Sequence, residues 1–528
     1  MTAARDHGTG VAPDEAVLVV AGFVALAAAN LVFWRFDYPP LIDWPNHLAR
    51  HALQCAADPL AGLGQYYEYT FEWVPNLSSE LVHALPVACQ SLLTTQKVLI
   101  QFATTGLLAS AVILHFAVWR RWSVWPLLAA SGMYHVALGY GFENYVLALP
   151  PMLLALALWF ALRDKGPLAR LLPLAAAAGA VYVLHLYAFV FQFAAVGLLE
   201  LQKWWRARQW REFVAVGLLM ALMAAGPVAH LALVATGTEG IDLGKTDFGT
   251  VFQKLTLVLS PFTPLGLPYI DPRVLWVAAS HLLALSVILI FIRALGLPLE
   301  LTRGAGLALG GLMVLTLAMP ATLGAVHLTD IRLPVVLLCF AIAVTDVRLP
   351  PWAAAVFVLA VVAGGISRTS WLEARWAAHD REVRELLSLK SVLSDRDRLL
   401  VARAGPERDV LLHSHSASHL AREAGVFLPE IFSGGNALSS REAYRLRDVF
   451  QTFPVEVARL IEEARAPRMP DPDRVPYGEL YWAAWPEFYS HILVLGRSGE
   501  SFPEVPEFGR IVHRGSFFAL YEAELAGR

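Results

Sequence analysis

The chain has 528 residues, 57% hydrophobic and 16% charged, with a net charge of -3 and a mean hydropathy of +0.52. That balance excludes an ordinary soluble globular protein. The near-neutral charge supplies neither the basic footprint of a nucleic-acid binder nor an acidic funnel.

The polar start MTAARDHGTGVAPDEA is followed by AVLVVAGFVALAAANLVFW, which is longer than a signal-peptide core and has no clear cleavage site. It reads as a retained membrane helix over 16–34. Further apolar runs lie at 97–119, 123–139, 144–162, 168–185, 187–202, 212–236, 274–294, 304–322, 332–346 and 351–366. The fold class is therefore a polytopic α-helical membrane protein of about 11 spans, each sized for a hydrocarbon core of ~30 Å.

Arg120, Arg121, Arg163, Lys165, Arg170, Lys203, Arg206, Arg208, Arg211, Arg293, Arg303 and Arg348 fall at alternate joints. The positive-inside rule puts those joints and the N-terminus in the cytoplasm. The opposite, external face then receives the long loops 35–96 and 237–273 and everything after 366. Two domains are expected: 1–366 in the bilayer, and 367–528 as an external, soluble α/β domain.

In the first loop, PNLSSELVHALPVACQSLL (75–93) is apolar but interrupted by Glu80, His83 and Pro86. It suits a helix lying on the membrane surface, with a twelfth span as the competing reading. The three cysteines show no CxxC spacing, which argues against a metal cluster or a disulfide framework and leaves a Cys55–Cys89 bridge open. No internal repeat is visible, which disfavours transporter folds built from repeated halves.

The tail opens with a charged amphipathic helix at 371–393. It continues with strand-like RDVLLH, HILVLG and FFALYEAEL between loops rich in Pro and Gly. HSHSASHL (413–420) places three histidines within seven residues. Solvated histidines on a strand-to-helix turn are the simpler reading than a metal site. The aromatic string YWAAWPEFY (481–489) can stack on sugar rings or pack against the membrane domain.

LIDWPNHLAR (41–50) sets Asp43, Asn46, His47 and Arg50 at the mouth of the first span. Near a membrane face, a carboxylate that is not solvated must pair, bind a metal or do chemistry. Pro45 makes the start an extended turn, and His47 and Arg50, three apart, share a helix face. The stretch offers a base, a second ligand or proton shuttle, and a cation suited to phosphate. The plainer alternative is a helix cap at Asp43 and headgroup contact at Arg50.

Other candidates are Glu72 in YTFEW, Glu143 and Asn144 in GFENY, His185 in HLYAF, and Asp330 with Arg332 in HLTDIRLP. Arg332 is the first choice for a lipid phosphate because guanidinium meets phosphate oxygens in a bidentate way. An ion pair or headgroup snorkelling is the alternative there, and Lys245 and Lys254 are secondary phosphate partners.

DWPNHLAR, WVPNLSSEL with Pro75 and Asn76, GFENYVLALPPMLLALALW, HLYAF and the ending FALYEAEL occur in this order along the chain. Together they resemble a bacterial branch of the GT-C superfamily of integral-membrane glycosyltransferases. The resemblance covers nearly the whole chain in architecture, but Asp43 stands alone where better-studied members carry an adjacent acidic pair.

It implies a periplasmic, inverting sugar transfer from a polyprenyl-phosphate donor to a glycan, lipid or protein acceptor. Asp43 would be the base, with His47 beside it. Asn46, Arg50, Glu72, Asn76, Glu143, Asn144, His185, Asp330 and Arg332 are then substrate-binding candidates. A divalent cation, Mg or Mn, held by Asp43 and His47 stays open. The competing classes are a lipid or glycolipid flippase without chemistry, and a membrane acyltransferase using His185.

Overall fold

The computed structural model describes residues 13–208, 210–237, 246–263, 273–323, 326–431, 438–448, 453–472, 474–500, 502 and 504–523. Two compact units form. Met1–Val32, Leu99–Leu138 and Asn144–Leu372 make the first, and Phe33–Val98, Gly139–Glu143 and Glu373–Arg528 the second.

The first unit is helical and apolar. Among the described residues, the helices Glu15–Arg35, Leu92–Trp119, Glu143–Leu162, Trp210–His230 and Pro351–Ser391 are long and apolar enough to cross a membrane, and shorter apolar helices occupy Ala169–Leu184, Ala278–Ala294 and Gly306–Ala318. On the helix Arg273–Ala294, Trp276, Leu283 and Ile290 recur every seventh residue at 80%, 67% and 68% exposure. Such a stripe is a liability in water and a natural lipid face. This is a multi-pass membrane protein.

The segment 123–139 departs from the expected single span. It forms a 3-10 helix, Trp125–Gly132, then a one-turn helix, Val136–Gly139, because Pro126 and the two glycines punctuate it. Two buried carboxylates in this unit are paired, as a hydrocarbon environment favours. Arg170, expected among the loop charges, is buried against Glu200, which also accepts from Trp159 Nε1 at 2.9 Å. Asp346 takes Arg121 and the Ser123 hydroxyl, the latter at 2.8 Å.

The second unit is built on a five-stranded sheet in the order 510–514, 518–522, 491–495, 399–403, 455–456. Leu399–Arg403 and His491–Leu495 run parallel, and Phe518–Glu522 pairs antiparallel with the latter. All five residues of HILVL are buried, as expected of a strand covered on both faces. RDVLLH, expected as a strand, is instead a helical turn, Glu407–Val410, running into a 3-10 turn, Leu411–His413. Pro406 precedes it, and Glu407 and Asp409 favour a helix N-terminus electrostatically.

The first loop belongs to this unit. Tyr67, Glu68 and Tyr69 pair antiparallel with Ser440, Ser439 and Leu438. Tyr38, Ala49, Leu53 and Tyr67 share one hydrophobic core with Leu400, Phe427 and Leu493. The segment 75–93 folds as two short helices, Ser78–His83 and Pro86–Cys89. At 1.5 Å per residue neither reaches across a bilayer, and Pro86 breaks the run, which removes the twelfth-span reading. Cys55 and Cys89 form a disulfide, and Cys339 is free and buried.

Candidate active site

The motif folds as a turn followed by the helix Trp44–Gln54, with Pro45 in its first turn, where the missing N–H of proline costs nothing. Asp43 sits at the N-cap, yet its side chain makes no capping bond, so the helix-cap alternative is not what this carboxylate does. Its backbone is held instead. Ile42 N–H donates to the Gly139 carbonyl at 3.1 Å and Asp43 N–H to that of Tyr140 at 2.9 Å, while the Asp43 carbonyl accepts from Asn46 and His47. The carboxylate is 6% exposed as a residue, and His415 Nε2 stands 3.6 Å from Oδ1.

Gly141 makes that close approach possible. Its φ is +77°, and a Cβ there would meet the nitrogens of Asp43 and Trp44 at 2.8 and 2.9 Å. Gly141→Ala must displace the aspartate and carries left-handed strain as well. We expect a loss of about 1–3 kcal/mol in stability, read as a lowered unfolding midpoint.

Behind the turn the motif helix buries a polar network. The Arg50 guanidinium pairs with Glu80, both under 5% exposed, and donates to His47 Nδ1 at 3.0 Å. Arginine only donates, so His47 Nδ1 accepts and its proton resides on Nε2. Glu143 is fully buried; its Oε2 lies 3.2 Å from His51 Nε2 and 3.5 Å from His47 Nδ1, and its Oε1 accepts from Gln96 at 3.3 Å. The His51 and His83 rings stack at 3.8 Å, and His83 Nδ1 reaches the Ser79 carbonyl at 2.9 Å. Asn46, completely buried, accepts from the Ser418 hydroxyl.

Of the residues expected from sequence, this unit therefore brings together Asp43, Asn46, His47, Arg50 and Glu143. Glu72 is exposed to solvent. Asn76 is half-buried and takes the left-handed φ of +99°, a conformation that asparagine tolerates better than most residues. Sequence reading missed His51, Gln96, His415 and Ser418 as neighbours, and met Glu80 and His83 only as interruptions of an apolar run. Asp43 and His47 are not joined by a third metal-ligand atom in a tight group among the described residues.

The first unit holds the remaining candidates. His185 lies in the extended link between the helices Pro167–Leu184 and Leu186–Ala207, and its Nδ1 accepts the Tyr187 N–H at 3.1 Å as a helix cap. Its ring meets Tyr145 edge-on at 5.0 Å, and the Tyr145 hydroxyl donates to the Arg332 carbonyl. The Arg332 guanidinium lies over the Tyr187 ring at 4.8 Å. Asp330 pairs with Lys254, and Lys254 also donates to the Met319 carbonyl at 2.6 Å. The local Asp330–Arg332 pair considered from sequence is thus replaced by Asp330–Lys254. Asn144, at the start of the helix Glu143–Leu162, is buried. Lys245 lies outside the described residues.

Burial gives the histidines of the second unit a pH signature. Desolvation is the chief cause that holds His51, His83 and His415 down to about 4 from 6.5. Between those values the unfolded chain binds protons that the folded chain refuses. Stability is therefore full above pH 6.5 and falls as pH drops toward 4. We expect an unfolding midpoint that declines steeply as pH falls below about 6.

With this geometry in place, the fold matches that of ArnT from Cupriavidus metallidurans, in its undecaprenyl-phosphate-bound and apo crystal structures. Both comparisons give a TM-score of 0.50 over 97% of this chain and 99% of that one, at 11% and 12% identity. The chain thus has the GT-C fold. No family model matches it, and no curated protein does.

Proposed function

We propose that this chain is a membrane glycosyltransferase that moves a sugar from a polyprenyl-phosphate donor to an acceptor hydroxyl, with Asp43 as the base. The observation that carries the reading is a buried N-cap carboxylate whose side chain makes no capping bond, in a turn held by the Tyr140 carbonyl and faced by His415. The fold it shares with ArnT, seen with undecaprenyl phosphate bound, supports a lipid-phosphate donor.

In the reaction the acceptor oxygen forms its bond to the anomeric carbon as the bond from that carbon to the phosphate oxygen breaks. Asp43 takes the hydroxyl proton, and the leaving lipid phosphate keeps the electron pair. Attack from the face opposite the leaving group inverts the centre. The growing charge on the leaving phosphate calls for a cation, and a guanidinium suits phosphate oxygens best. His47, bound by Arg50, positions the motif helix.

The Cys55–Cys89 disulfide supports placing the first loop and the tail in the periplasm, since such bonds persist in oxidising compartments. The N-terminus is then cytoplasmic and the membrane the bacterial inner one.

The test is purified protein in nanodiscs, given a panel of polyprenyl-phosphate sugars, with release of lipid phosphate followed by mass spectrometry. Turnover of at least one donor is expected. Transbilayer movement of the lipid without release of phosphate would point to a flippase instead.

A further inference from the structure

HSHSASHL does not gather its own histidines, and it is not solvated. His413, His415 and His419 are all buried, each against a different neighbour. His413 meets His379 and Glu382, which lie one turn apart on the helix Pro351–Leu386, on a shared face. One ring nitrogen of each histidine and a carboxylate oxygen of Glu382 fall within 4.8 Å of one another.

The cluster is oriented from outside. His413 Nε2 is 3.1 Å from Glu382 Oε2, and its Nδ1 is 3.3 Å from the Ser416 hydroxyl. Phe517 stacks on the His413 ring at 4.0 Å, and the Ser498 hydroxyl bonds Glu382. A plain histidine–glutamate pair accounts for two of the three residues. It leaves His379, which is 3% exposed and stacked on His413 at 4.8 Å, with a buried Nδ1 that has no hydrogen-bond partner.

We propose that His379, Glu382 and His413 bind a divalent transition-metal ion, Zn2+ in the first instance, as a structural clamp. Two imidazoles and one carboxylate are a zinc donor set, whereas Mg2+ and Ca2+ prefer oxygen throughout. Water or a nearby hydroxyl completes a tetrahedron. Ser416 and Ser498 are the outer groups that orient ligands at such centres. The ion ties the end of the long helix to the 413–419 turn, which carries His415 to Asp43 and Ser418 to Asn46. Metal binding is read directly, so it stands or falls independently of the sugar chemistry.

The experiment uses the full-length protein in detergent, stripped with EDTA, dialysed against Zn2+ and then freed of loose metal. Elemental analysis is expected to find about one zinc per chain, and Co2+ substitution to give visible d–d bands. Zinc should raise the unfolding midpoint by roughly 5 °C. Glu382→Gln retains the hydrogen bond to His413, so it should fold while losing most of the zinc and the shift. His379→Gln should do the same. A wild-type chain that holds no zinc after dialysis overturns the proposal. So do variants that keep the wild-type zinc content and midpoint shift, because the metal then sits on other histidines.

Discussion

Asp43→Asn is expected to lower turnover of the donor lipid by about 10²–10⁴-fold, the usual cost of losing a general base, or about 3–5 kcal/mol of transition-state stabilisation. Asparagine has the shape of aspartate, and the bonds that fix this turn run through the backbone to Tyr140, Asn46 and His47. The variant should therefore fold, and its KM for donor should stay within a few-fold of wild type. Steady-state release of lipid phosphate, with size-exclusion and circular dichroism as fold controls, measures this. Undiminished turnover removes Asp43 as the base, and a misfolded variant would mean that the side chain is structural after all.

Glu80→Ala is expected to produce the largest stability loss. Glu80 is fully buried and its partner Arg50 nearly so. Removing the acid leaves the guanidinium donating to His47 Nδ1 at 3.0 Å, with its charge uncompensated. An uncompensated buried charge costs about 3–5 kcal/mol. The pair itself need not be strongly stabilising, since apolar replacement of both partners is often neutral. The double variant Arg50→Met with Glu80→Leu should therefore recover much of the loss. Unfolding midpoints of the wild type, Arg50→Met, Glu80→Leu and the double variant measure the coupling. A Glu80→Ala midpoint equal to wild type would mean that the pair is not formed.

These two expectations separate what a linear reading can and cannot reach. Asp43 stood out locally, because a carboxylate beside Pro45 and after a long apolar run is costly unless it has a task. Arg50 stood out too and was matched to a phosphate, yet its buried partner proved to be Glu80, a residue that in sequence only interrupts an apolar stretch. Asn46 and Ser418 are 372 positions apart, and no local pattern predicts such a pairing. HSHSASHL shows the same limit from the other side. Its spacing suggested mutual neighbours on a solvated turn, but as a buried helical segment it turns its histidines toward Glu382, Asp43 and Tyr38.

Composition and hydropathy alone established a multi-pass helical chain with a separate strand-bearing tail, because burial in lipid requires long apolar runs whatever their partners. The local chemistry of LIDWPNHLAR was equally visible, since Pro45 and Asp43 act on their immediate neighbours. Only the tertiary structure decided that the first loop and the tail share one core, that Arg50 is neutralised by Glu80, and that Gly141 opens the space at Asp43. Those outcomes depend on which distant surfaces come into van der Waals contact, and contact of that kind is a property of packing in three dimensions that no spacing along the chain encodes.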